Sequence, residues 1–152
     1  MMQREYRLLS EKDTVRLGAR LGELLTDGTF VALYGDLGAG KTTLVAAAAN
    51  AMGIRDTASP TFTVVREHKG EHELFHFDAY RLSDSDELYA MGYEDYLDRN
   101  GVIMMEWAEN VEDALPAERL ELHLFGSGAD ERRLIATARG TCSENILMEL
   151  NI

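Results

Sequence analysis

Thr29-Phe30-Val31-Ala32-Leu33-Tyr34 is a continuous β-prone run, and Gly35-Asp36-Leu37-Gly38-Ala39-Gly40-Lys41-Thr42 follows it without a break. The run is short enough to be a buried strand. The eight residues after it match G-x-x-x-x-G-K-[ST] at every fixed position, and Lys41 to Ala51 is alanine-rich and helix-prone, closing at Gly53. Strand, glycine loop and helix in that order form a phosphate cradle. The glycines let the backbone turn its N–H groups onto one anion. Lys41 is a compact cation that reaches β- and γ-phosphates, Thr42 offers a hydroxyl to magnesium, and the helix points its positive end at the ligand. At average residue usage a random chain of this length would match about once in a few hundred, and the flanking strand and helix lower that further. The reading is a nucleoside triphosphate site, with ATP and Mg2+ as its ligands.

Upstream, Tyr6 to Leu9 reads as a short strand. Ser10 with Asp13 has the spacing of a capping box, and Leu17, Leu21, Leu24 and Leu25 lie on one helical face that Gly28 is placed to end. Downstream, Thr61 to Glu67 and Glu71 to Tyr80 are strand-like segments around a turn at Lys69-Gly70. An antiparallel hairpin inserted here departs from plain alternating α/β order. Ser83 to Leu97 reads as helical pieces broken at Gly92, with the acids of Asp84 to Glu87 in a first turn. The apolar run Gly101 to Met105 ends in Glu106-Trp107. Leu120, Leu122 and Leu124 alternate with polar neighbours, Gly126 to Asp130 makes a turn, Arg132 to Ala138 returns as a strand, and the last dozen residues read as a helix. No repeat or linker divides the 152 residues, so one domain spanning 1–152 is expected.

Hydrophobic residues at 45% and charged residues at 28% are ordinary for a globular protein. The single cysteine, Cys142, forms no intrachain disulfide, the N-terminus has no signal-peptide pattern, and no apolar run approaches the roughly 20 residues of a membrane span. A cytoplasmic protein with no membrane association is expected. The net charge of -12 repels nucleic acid phosphates, and the longest basic cluster is Arg132-Arg133. Direct binding of RNA or DNA is disfavoured, whereas a phosphate loop and a metal ion supply positive potential locally.

A phosphate loop needs an acid at the end of a neighbouring strand to hold magnesium, directly or through water. Glu106 follows the apolar run Val102 to Met105. Asp78 lies in Leu74-Phe75-His76-Phe77-Asp78-Ala79-Tyr80, where Phe75, Phe77 and Ala79 share one face and His76, Asp78 and Tyr80 the other. Sequence leaves open which of the two touches the metal. His68, His72 and His76 are spaced by four, but the strand pattern separates His68 from the others and no H-E-x-x-H is present, so zinc is not expected. Ser59-Pro60-Thr61-Phe62 on its own reads as a turn entering a strand, Trp107 as a packed aromatic, and Arg132 as a solvated strand end or a contact to nucleotide or partner.

Gly35 to Thr43, Ser59-Pro60-Thr61-Phe62, His76-Phe77-Asp78-Ala79-Tyr80-Arg81-Leu82 and Glu106-Trp107, in this order and spacing, resemble the bacterial TsaE family. That family comprises small P-loop ATPases required for threonylcarbamoyl-adenosine formation in tRNA. The resemblance runs from the Ser10 region to the final hairpin. It implies a P-loop NTPase-like three-layer α/β fold with a mixed, partly antiparallel sheet. It also implies hydrolysis that depends on the partner proteins TsaD and TsaB, with tRNA reached only through their complex. In that picture Lys41 binds phosphate, Thr42 and Glu106 hold magnesium, and Asp78 supports catalysis beside them. Thr43 adds a hydroxyl, Ser59 to Phe62 senses the γ-phosphate as a switch-like segment, and Trp107 lies near the nucleotide or partner surface. Ala108 is a mild departure, standing where many relatives carry another small residue or proline.

The alternatives are a small-molecule kinase of the P-loop class, a GTP-binding switch and a nucleotide-bound adaptor with negligible turnover. No arginine-rich lid and no N-K-x-D sequence is evident. The motif sets the first expectation: Lys41→Ala abolishes ATP binding measured by calorimetry, because it removes the only cation of the loop. Unchanged affinity in that variant sinks the phosphate-loop assignment.

Overall fold

Seven strands form one mixed sheet in the computed structural model, which describes residues 1–55, 64–126 and 131–152. The segment Ser59 to Phe62, the first residues of the expected strand from Thr61, and residues 127–130 of the expected turn lie outside the described residues. The elements run β1 (Met2–Leu8), α1 (Glu11–Leu24), β2 (Phe30–Tyr34), α2 (Lys41–Ala51), β3 (Val65–Lys69), β4 (Glu73–Asp78), α3 (Ser85–Ala90), α4 (Tyr93–Asp98), β5 (Val102–Glu106), a 3-10 segment (Ala108–Ala114), β6 (Arg119–Phe125), β7 (Arg132–Arg139) and α5 (Thr141–Glu149).

The strand order is β1-β7-β6-β2-β5-β4-β3. The central strands β6, β2, β5 and β4 are parallel, and antiparallel partners flank them: β7 and β1 beyond β6, and β3 beyond β4. Parallel strands must be covered on both faces, and β2 shows it, since all of its residues are buried. Val31 and Leu33 join Leu17 and Leu21 of α1, Leu44 and Ala48 of α2, and Ile146 and Leu147 of α5 in one core. Phe30, Ala32 and Tyr34 face the other way, into a second core with Phe75, Phe77, Leu88, Tyr93 and Val111. The result is the three-layer α/β fold with a mixed sheet.

Local chemistry moves several boundaries. The first strand begins at Met2 rather than Tyr6, pairing Met2 with Ala138 through Leu8 with Arg132. An inward Arg4 disguised it; its guanidinium donates to the Leu147 carbonyl at 2.9 Å near the end of α5. The capping box is not made, because the Ser10 side chain forms no cap bond; the Asp13 carboxylate instead accepts from the Leu9 N–H at 2.9 Å. α1 ends at Leu24, and Gly28 belongs to the following turn, where its N–H donates to the Gly101 carbonyl. β3 continues through Lys69, so the hairpin turns at Gly70 to His72, and the Glu71 N–H donates to Met52 at the end of α2. The break at Gly92 (φ 92°) separates α3 from α4, and Asp84 caps α3 by accepting from the Glu87 N–H. The 3-10 segment after Trp107 was not expected from sequence, having neither a helical stripe nor enough length to show one.

The phosphate-loop helix is held by a close crossing. A Cβ added at Gly18 would lie 2.7 Å from the Leu44 carbonyl oxygen and 2.8 Å from the Ala47 Cβ, and one at Gly22 would lie 2.9 Å from Ala48 Cα and overlap its carbonyl oxygen. Real side chains do not fit there, so backbone meets backbone where α1 crosses α2. Gly22→Ala should therefore destabilise by about 1–3 kcal/mol through overpacking. For a chain of this size that lowers Tm by roughly 3–10 °C, readable by circular dichroism. An unchanged Tm would show that the two helices are free to slide apart.

Candidate functional site

The C-terminal ends of β2, β5 and β4 lie side by side, with Leu33 in register with Glu106 and Glu106 with Asp78. In open α/β sheets that edge is where ligands bind. Here it opens into a cleft of about 580 Å3 lined by the loop from Asp36 to Thr43, by Asp78, Tyr80, Glu106 and Trp107, by Ser10, Glu11 and Thr14, and by Arg132.

Two glycines make the loop possible. Gly35 (φ 144°) leaves β2 so close to β6 that an added Cβ would lie 2.7 Å from the Leu124 carbonyl oxygen. Gly40 (φ 105°) is the left-handed residue that starts α2. Leu37 projects outward and is 69% exposed. Lys41 is buried: its Nζ donates to the Gly35 carbonyl and to the Asp36 carbonyl at 3.2 Å, and lies 4.0 Å from the centroid of the Trp107 ring. Burial pulls the Lys41 pKa down, opposed by the carboxylates of Glu106, Glu109, Asp78 and Asp36.

Glu106 is 3% exposed. Its Oε1 accepts from the Thr42 hydroxyl at 3.1 Å, and its Oε2 lies 2.5 Å from His76 Nε2. Asp78 sits one strand away, its Oδ1 accepting from the Tyr80 N–H at 3.0 Å. Burial raises the Asp78 pKa, and the neighbouring Glu106 adds to the rise, against the Tyr80 N–H, which lowers it. Trp107 adopts the left-handed conformation (φ 60°), unusual for a bulky residue, and its ring tilts against Tyr80 at 4.8 Å between centroids. Arg132 reaches from β7 to the loop, with Nε donating to Ala39 at 3.2 Å and Nη2 to Gly38 at 3.1 Å, both through carbonyls.

The donor set suits a hard cation. A hydroxyl (Thr42) and a carboxylate (Glu106) lie beside each other with a second carboxylate (Asp78) in the next strand, and no thiol is near. Among the described residues no three His, Cys, Asp or Glu side chains gather into a metal cage. Magnesium is suited by one or two protein oxygens, with phosphate and water completing its shell.

Lys41, Thr42, Thr43, Asp78, Glu106, Trp107 and Arg132 thus converge on one cleft, while Ser59, Pro60, Thr61 and Phe62 are outside the described residues. Sequence reasoning missed Ser10, Glu11 and Thr14, which only the crossing of α1 on α2 brings here. Tyr80 was legible as the next same-face residue after Asp78.

The sequence profile of Threonylcarbamoyl adenosine biosynthesis protein TsaE matches residues 8–135. The chain is 37% identical to the tRNA threonylcarbamoyladenosine biosynthesis protein TsaE of Bacillus subtilis, across 99% of this chain and 96% of that one. It is 33% identical to the protein of the same name from Haemophilus influenzae, with 90% of each chain covered. The crystal structure of Bacillus subtilis YdiB superposes with a TM-score of 0.84 at 33% identity, covering 98% of this chain and 94% of that one. The fold, the phosphate loop and these matches agree, and the chain belongs to the TsaE family.

Proposed function

We propose that this chain is a magnesium-dependent ATPase that acts with TsaB and TsaD in forming the threonylcarbamoyl group on adenosine of tRNA. The observation that carries the reading is the hydrogen bond from the Thr42 hydroxyl to Glu106 Oε1, 3.1 Å long, which joins the phosphate loop to the acid at the end of β5. Lys41 and the N–H groups at the start of α2 bind the β- and γ-phosphates. Thr42 and Glu106 would hold magnesium, which would neutralise phosphate charge when bound. Water attacks the γ-phosphorus, the bond to the β–γ bridging oxygen breaks, and ADP and phosphate leave. Asp78 lies in register with Glu106 and burial raises its proton affinity, which supports a role in orienting that water and taking its proton.

The charge balance of the cleft argues for partner dependence. Among the described residues that line it, Glu11, Asp36, Asp78 and Glu106 face only Lys41 and Arg132. Arg132 is engaged with loop carbonyls. P-loop enzymes that hydrolyse quickly bring further cationic charge to the transition state, so the isolated chain is expected to be slow. Its acidic surface, net -12, fits a protein that meets tRNA through TsaB and TsaD. No described helix is long and apolar enough to cross a membrane, and we assign the work to the cytoplasm, where tRNA is modified.

The test is ATP hydrolysis with magnesium, alone and with the TsaB–TsaD pair and tRNA. Stimulation by the pair is expected. Tight ATP binding without stimulation overturns the reading in favour of a small-molecule kinase. Within the same assay, Glu106→Ala should bind nucleotide yet lose at least tenfold in hydrolysis, on the scale of lost metal ligation. Full activity in Glu106→Ala with loss in Asp78→Ala would reverse the two acids' roles.

A further inference from the structure

We propose that His76 is a positioning residue that fixes the Glu106 carboxylate for magnesium; the proposal rests on the magnesium–nucleotide reading of the cleft. His76 is 2% exposed, in the middle of β4, on the face it shares with Leu74, and its register partner in β5 is Met104. Its Nε2 lies 2.5 Å from Glu106 Oε2. A carboxylate only accepts, so at this contact His76 must carry a proton on Nε2 and donate it to Oε2, while Oε1 accepts from Thr42.

The two contacts differ in kind. Thr42 belongs to the phosphate loop, and its hydroxyl, which donates to Glu106, would also have to serve the metal. His76 belongs to a strand hydrogen-bonded on both sides, by β3 and β5, so its position is set by the sheet and not by the ligand. A glutamate has three side-chain torsions, and an anchor on Oε2 from a rigid strand leaves Oε1 facing Thr42. Metal-binding side chains are commonly held this way, and loss of such a partner costs about 10–100-fold in metal affinity or activity. The Phe75 and Phe77 side chains on either side of His76 belong to the opposite core, so His76 contributes nothing to that core and its apolar replacement leaves it intact.

Two substitutions separate positioning from packing. His76→Phe keeps a ring of similar size and removes the donor; His76→Gln restores an amide N–H near the place of Nε2. The dissociation constant of ADP is measured by calorimetry with and without Mg2+, alongside kcat, KM and thermal melts. For His76→Phe the metal-free affinity should match the parent within about twofold, while the tightening by Mg2+ and kcat each fall about 10–100-fold. His76→Gln should recover most of both. Parental magnesium tightening in His76→Phe overturns the proposal, as does equal loss of Mg2+ tightening in the two variants with a lowered Tm, which marks a packing role. If no mixture hydrolyses ATP, the ATPase reading falls, and the magnesium-dependent binding still decides the role of His76. A parent whose nucleotide affinity ignores Mg2+ overturns both.

Discussion

A carboxylate buried at the end of β5 ties the molecule together. Glu106 receives Thr42 from α2 on one oxygen and His76 from β4 on the other. A carboxylate out of water is tolerated only when its oxygens are hydrogen-bonded. The three elements that meet at Glu106 therefore cannot shift independently. The sheet order serves the same end: β2, which carries the phosphate loop, lies directly beside β5, with β6 on its other side. From β6 the Leu124 carbonyl closes on Gly35, and from β7 Arg132 closes on Gly38 and Ala39. The loop is thus held from both flanks while α1 holds its helix from above.

What sequence made legible was local. Strand, glycine loop and helix are contiguous, and each residue's reason for being there is met by its neighbours; α2 runs from Lys41 to Ala51 as the alanine run implied. The period-2 alternation of Leu74 to Tyr80 is enough to place His76, Asp78 and Tyr80 on one face. Among the described residues His72 pairs with Asp27 at 2.7 Å while His76 pairs with Glu106.

What stayed hidden depends on contacts between residues far apart in the chain. Ser10 is the N-cap residue of α1, but its hydroxyl makes no cap bond and the residue lines the cleft, while the Asp13 carboxylate accepts from the Leu9 N–H. Sequence alone starts the first strand at Tyr6 and not at Met2, because the carbonyl partners that satisfy Arg4 lie more than a hundred residues away at the end of α5. Arg132 offered a charge without an address until β7 delivered it to the loop. The left-handed turn at Trp107 had no glycine to announce it; the ring is kept there by Lys41 and Tyr80, both supplied by other elements.

Charge explains why such a site would be held in check. A triphosphate entering this cleft meets Glu11, Asp36, Asp78 and Glu106, and the attraction must come from the loop N–H groups, Lys41 and the metal it brings. On the proposed reading those groups would be enough to bind, because N–H dipoles and a divalent ion act at contact distance. They are poorly matched to the transition state, where charge spreads onto oxygens, and among the described residues Lys41 and Arg132 are the only side-chain cations lining this cleft. On that reading, the chain would retain nucleotide and turn it over only when another surface completes the field. On the proposed reading, that separation of binding from turnover is what lets hydrolysis report on the state of its partners.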